Sequence, residues 1–197
     1  MKNIAPPQST SHRTRILESL ETCLDAKSFR DITLTDIAAA AHISRRTFYE
    51  HFANKDECLL ALSEETSAHI MKAILTSFSG ADSWEDKVEK ISHAYLQEIQ
   101  KKTVLMRALY IELGALGLEG QELRRKIADI FADFLCNQVK MHILKGDSLR
   151  EISHDVGVIL VSGINQLILN RLLDDNKARL TDLTSTAVQI IHSVSKI

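Results

Sequence analysis

Apolar residues recur at helical spacing along most of the chain, and the groups that start helices fall just ahead of them. Ile16, Leu17, Leu20, Cys23 and Leu24 predict a first helix from Ser11 or Thr14 to Lys27, with Phe29 and Ile32 leading on to Thr33. Thr33 and Asp36 have capping-box spacing before Ile37 and an alanine run, and Ser44 opens the next helix. Asn54 and Glu57 cap a long helix through Leu59, Leu62, Ile70 and Ile74 to about Phe78. Ser83 with Asp86 opens a stripe of Val88, Ile91, Tyr95 and Ile99; further helices are expected over Val104–Leu116 and Glu119–Lys145. Ser148 with Glu151 is expected to cap a run that is apolar nearly all round, and a last helix spans about Leu180 to Lys196. The predicted fold class is all-α.

Within Thr33–Lys55 the pattern divides two faces. Phe48 and Phe52 lie four apart and share one side, Arg46 and Glu50 point away, and Arg45, Thr47 and Tyr49 sit on the flanks. A helix-turn-helix reader of duplex DNA needs this division, because the helix in the major groove must bury one side and offer donors from the other. The short alanines 38–41 let the supporting helix approach closely, with Ile37 and Ile43 packing under Phe48.

Composition agrees with a folded helical protein: 45% hydrophobic, 25% charged, and only two prolines in 197 residues. The net charge of −2 tempers the DNA reading, although residues 1–55 hold eight Lys and Arg against six Asp and Glu. Cys23, Cys58 and Cys136 are far apart and odd in number, which favours a reducing compartment and buried structural thiols over a disulfide framework. The polar opening residues lack the apolar core of a signal peptide, and no apolar run approaches the roughly 20 residues a membrane helix needs, so a cytoplasmic location is expected.

The segment S-R-R-T-F-Y-E-H-F-A-N-K, Ser44–Lys55, resembles the signature of the tetracycline-repressor (TetR) family of bacterial transcriptional regulators. The resemblance covers roughly a quarter of the chain. It implies that Arg45, Arg46 and Tyr49 face base edges or phosphates, and that Thr47, His51, Lys55 and Thr33 contact the DNA backbone. Thr35 and Ser44 complete the DNA-facing set. Lys55 is favoured as a phosphate contact because a cation in the first turn otherwise opposes the helix dipole. Two positions depart from the family pattern: His42 stands where a turn glycine is frequent, and Thr35 where an arginine is frequent.

Residues 1–10 are expected to form a flexible tail, 11–56 the DNA-binding domain, and 57–197 a helical domain for ligand binding and dimerisation. A helix apolar on every side needs burial on two faces. The segments at about 150–173 and 180–196 therefore read as a homodimer interface, with Gly157 and Gly163 permitting close approach, as the resemblance also implies. The resemblance further implies that a small organic ligand between the helices after the linker changes the separation of the two readers. Its candidate contacts are Tyr95, Met106, Tyr110, Glu112, Phe131 and Asn165, with Trp84, His93, Phe134 and Gln166 behind them. Asn165 leads because an amide in an apolar helix must find a partner.

The eight histidines show no metal-ligand spacing, and neither a phosphate loop nor a nucleophile elbow is present; no enzyme, metal or cofactor is expected. The expected function is a ligand-responsive repressor that binds a near-palindromic operator as a homodimer. The alternative is a helical carrier or adaptor that has lost DNA recognition.

Overall fold

The structure is a computed structural model and describes residues 11–174 and 179–197. The tail expected over residues 1–10 lies outside the described residues. The described residues form nine α-helices, and their only β-pairing is an isolated bridge between Leu149 and Lys196. Two compact units, Met1–Leu62 and Ser63–Ile197, divide the chain within its fourth helix.

In the first unit, α1 (His12–Ala26) is capped by Ser11, and a 3₁₀ turn, Phe29–Asp31, precedes α2 (Leu34–Ala40) and α3 (Arg45–Tyr49). The capping box at α2 is complete: Thr33 Oγ1 accepts from the Asp36 amide at 3.2 Å, and Asp36 accepts from the Thr33 amide at 2.8 Å. Lys27 also binds the Asp36 carboxyl at 2.8 Å; with the bonds donated to it by the Thr33 amide and the Thr33 hydroxyl, this holds the carboxyl well below the usual carboxylate range. Ile16, Leu17, Leu20, Ile32, Ile37, Phe48 and Leu59 are fully buried and form the core under these helices.

The second recognition-segment helix is shorter than expected. It ends at Tyr49, and Phe52 reaches the core from the following turn, its ring 5.9 Å from that of Phe48. Between α2 and α3, His42 has φ +52°, the left-handed backbone that its position predicts. His42→Gly is expected to raise the thermal midpoint, stabilising the fold by about 0.5–1 kcal/mol, since glycine meets no Cβ clash there. An unchanged or lower midpoint in calorimetry would refute that account.

α4 (Lys55–Ser77) begins in this unit, where the Glu57 amide donates to Asn54 Oδ1 at 2.8 Å. Its later turns belong to the second unit, with α5 (Trp84–Lys101), α6 (Thr103–Ala115), α7 (Gly117–Leu144), α8 (His154–Asp174) and α9 (Thr184–Ser195). One apolar cluster gathers Trp84, Val88, Leu135, Val139, Leu160 and Ile191. Gly157 lets α8 approach α7, since a Cβ there would lie 3.1 Å from Ala132 Cβ and 3.2 Å from Cys136 Sγ.

The C-terminal third differs from the sequence reading in three ways. α8 starts at His154 rather than after Ser148, because the Arg150 amide donates to Ser195 O at 2.7 Å and Leu149 pairs with Lys196, holding this stretch extended. The last helix is preceded by a 3₁₀ turn, Leu180–Leu183. By length and composition α8 is also apolar enough to cross a membrane, contrary to expectation. Its Asn165 is nevertheless bonded to tyrosines of α5 and α6, and its Leu160, Ile164, Ile168 and Leu172 are buried against the other helices of the unit.

Candidate functional site

α3 is too short to be stable alone, so its cap and its buried face set its position. Ser44 Oγ accepts from the Thr47 amide at 3.0 Å, and the two hydroxyls lie 3.0 Å apart. Phe48 is fully buried, while Tyr49 is 50% exposed with its ring edge-on to Phe48. Arg45 is exposed, and Arg46 reaches Glu50 at 3.5 Å with its side chain 91% exposed. Thr35 and His51 are exposed, and the His51 ring stands 6.0 Å from that of His12. Arg46 thus projects away from the buried side of the helix, with Arg45 and Tyr49 exposed on its flanks. The Thr33 hydroxyl donates to Asp36 at 2.8 Å, so it is already engaged in the cap.

Lys55 is the correction within this set. Its ammonium donates to the backbone carbonyls of Phe29 (2.9 Å), Arg30 (3.2 Å) and Ile32 (2.9 Å), and it lies 4.7 Å from the centre of the Phe29 ring. All three N–H donors are spent on the 3₁₀ turn. These carbonyls, rather than a phosphate, account for a cation at the start of α4.

The second unit contains two adjoining hollows. The outer cavity, about 420 Å³, is lined by Tyr95, Met106, Tyr110, Phe131, Asn165 and Gln166, with Ser63, Thr66 and Ser67 from α4 and Gln121, Arg124, Arg125 and Asp129 from α7. The inner chamber, about 70 Å³, is walled by Ile74, Ile91, Phe134, Leu135, Leu160, Ile164 and Ile191, again with Tyr95 and Phe131. At their junction Asn165 Oδ1 accepts from both tyrosines, from Tyr110 at 3.1 Å and from Tyr95 by a short bond. Burial pushes the Tyr95 phenol up to about 12 and raises that of Tyr110 well above its ordinary value, so both remain protonated donors near neutral pH. Asp129 is bound by His154 Nε2 at 3.2 Å, and Arg124 and Arg125 are the cationic residues of the outer wall. Ser92 faces the inner chamber with a buried hydroxyl that finds no partner.

Several expected ligand contacts lie elsewhere. Glu112 is not among the residues that line either hollow. Trp84 is a core residue whose indole donates to Ser195 Oγ at 3.1 Å, and His93 is exposed. The cysteines are free thiols; burial pushes Cys58 up to about 12 and raises Cys136, as inert structural residues require.

Residues 16–62, the capped helices that carry this reading face, match the family described as bacterial regulatory proteins, tetR family. By sequence, the likeness to the TetR family is carried by this N-terminal segment, about a quarter of the chain. The chain is 38% identical over 58 residues to the HTH-type transcriptional regulator EthR of Mycolicibacterium smegmatis, a match spanning 29% of this chain and 27% of that relative. Outside the TetR domain the likeness is one of fold. The fatty acid degradation regulator FadR of Bacillus halodurans superposes with a TM-score of 0.79 at 18% identity, over 96% of each chain. FadR of Bacillus subtilis, solved in complex with stearoyl-CoA, gives 0.77 at 15% identity, over 90% of this chain and 96% of that one.

Arg124, Arg125 and Gln121 are cavity-lining residues that the sequence pattern does not single out. Gln121 and Arg124 continue the side of α7 that carries Phe131, but a charge or amide in the first turns of a helix ordinarily meets water, and only the placement of α6 and α8 turns this stretch into a cavity wall.

Proposed function

We propose that this protein is a ligand-responsive transcriptional regulator, not an enzyme, that works in the cytoplasm. It binds a near-palindromic operator as a homodimer and is released by a small amphipathic organic ligand. The observation that carries the reading is the two-faced α3: Phe48 is sealed in the core of a TetR domain while Arg45, Arg46 and Tyr49 stand free to enter a major groove. Thr47, Ser44, Thr35 and His51 flank that face and would meet phosphates; Lys55 is left out of the proposed set because its ammonium already donates to the carbonyls of Phe29, Arg30 and Ile32.

Dimerisation is supported by α8. Ile159 (67%), Leu167 (37%) and Leu173 (51%) are exposed on it, and nothing lies within 4 Å of a Cβ built on Gly163. A second copy packing there would bury an apolar face that the monomer leaves in water. The domain organisation proposed is a DNA-binding part over about 11–56 followed by a ligand-binding and dimerisation part.

For the ligand, the apolar chamber beside an arginine-bearing outer wall favours an elongated molecule with an anionic head, and the FadR complex with stearoyl-CoA is a precedent in the same fold. Thr35 and the engaged Lys55 give some weight to the second reading, a carrier without DNA recognition.

The two readings separate in gel shifts on the region upstream of the protein's own transcription unit. A regulator should bind there with an affinity that falls steeply between low and moderate salt, as phosphate neutralisation requires. Absent or salt-insensitive binding would leave only the carrier.

A further inference from the structure

We infer that Phe131 is a gate dividing one continuous binding tunnel, and that its ring sets the length of the apolar tail the tunnel accepts. The inference rests on the cavity being the ligand site. Phe131 and Tyr95 are the two residues that line both the outer cavity and the inner chamber, their ring centres 5.5 Å apart. Together they form the partition.

Only one half of that partition is free to move. Tyr95 is tethered by its hydroxyl to Asn165, which also holds Tyr110. Phe131 has no polar atom and is held by packing alone, so turning it breaks no hydrogen bond. It also has somewhere to go, because Phe131 lines a third hollow, a groove of about 380 Å³ between α4 and α7 that includes Met71, Leu75 and Ile130. Leu75 is 52% exposed and Ile130 47%, so neither is locked in the core.

The volumes say what would push the ring aside. The outer cavity, about 420 Å³, lies within the range of small-molecule sites, roughly 300–1,000 Å³. The inner chamber, about 70 Å³, falls well below that range. In the inferred tunnel it serves as an apolar extension entered past Phe131, the residue that it shares with the larger cavity along with Tyr95. A ligand whose head lies toward Arg124 and Arg125 and whose body fills the outer cavity meets the Phe131 ring with the end of its tail. A short tail stops there, and a longer one turns the ring toward the α4–α7 groove.

The test is calorimetric titration of the full chain with straight-chain fatty acids from octanoate to octadecanoate, used as anionic amphiphile probes. Affinity should rise roughly four-fold for each methylene that finds apolar surroundings and then level off. Phe131→Ala should move the levelling point at least two carbons longer, and Phe131→Trp should move it shorter. Phe131→Leu, which keeps the site filled, should give an intermediate shift and stands in if the alanine variant fails to fold. Identical levelling points in folded wild type and variants would overturn the gate, and so would failure of every chain length to bind the wild type. Adding the same acids to the gel shift separates the two ideas. A moved levelling point without any effect on DNA binding would support the gate while refuting ligand-controlled release.

Discussion

Replacing Arg45 with alanine is expected to abolish sequence-specific binding while leaving the protein folded. Arg45 is exposed on a helix whose stability comes from the Ser44 cap and the buried Phe48, neither of which the substitution touches. A lost arginine–base contact costs about 1–3 kcal/mol. A homodimer loses it in both half-sites, centred about 34–36 Å apart if one helical turn separates them. The combined loss is roughly 2–6 kcal/mol, or about 30-fold to more than 10⁴-fold in affinity, if the half-sites add independently. Arg46→Ala should cost less, because Arg46 is shared with Glu50. Competition gel shifts against unrelated DNA measure the effect. An unchanged ratio of specific to non-specific binding in Arg45→Ala would remove Arg45 from base reading.

Lys55→Met should act on stability and not on DNA. The variant keeps the side-chain bulk over Phe29 but loses three bonds to the carbonyls of Phe29, Arg30 and Ile32. Bonds from a charged donor contribute about 1.5–3 kcal/mol each when well buried; for this half-buried group a total loss of about 2–4 kcal/mol is expected. In a unit this small that lowers the thermal midpoint by roughly 10 °C or more. A phosphate-binding lysine would behave oppositely: the midpoint would hold, and the slope of log affinity against log salt would fall by about one. The two measurements on one variant decide between the roles.

Lys55 also shows why part of the site was hidden from the sequence. A lysine in a first helical turn signals that something negative is near, and the sequence cannot say whether that is a phosphate or a carbonyl. The carbonyls belong to Phe29–Ile32, more than twenty residues away, and only the fold brings them to the ammonium. Glu112 and Trp84 were drawn into the ligand set for the same reason: a polar or large residue on an apolar stripe has several possible neighbours, and periodicity does not choose among them. Asn165 was legible because its requirement is local. An amide in an apolar helix must be satisfied, and Tyr95 and Tyr110, both expected at the site, satisfy it.

Helix starts followed the same division. Thr33, Ser44, Asn54 and Ser83 cap their helices where short-range spacing places them, since a cap and its amide lie three residues apart. Ser148 has the same spacing but does not begin a helix, because strand-like pairing with Ser195 and Lys196 holds that stretch extended.

By itself, then, the sequence determined the all-α class, most helix boundaries, the two-faced α3 and the left-handed turn at His42. Each follows from interactions within a few residues along the chain. Tertiary structure alone decided the work of Lys55, the arginine-bearing wall of the outer cavity and the placement of Phe131 against three hollows. Each of these depends on which distant helix comes to lie alongside, and helical periodicity specifies a face without specifying its partner.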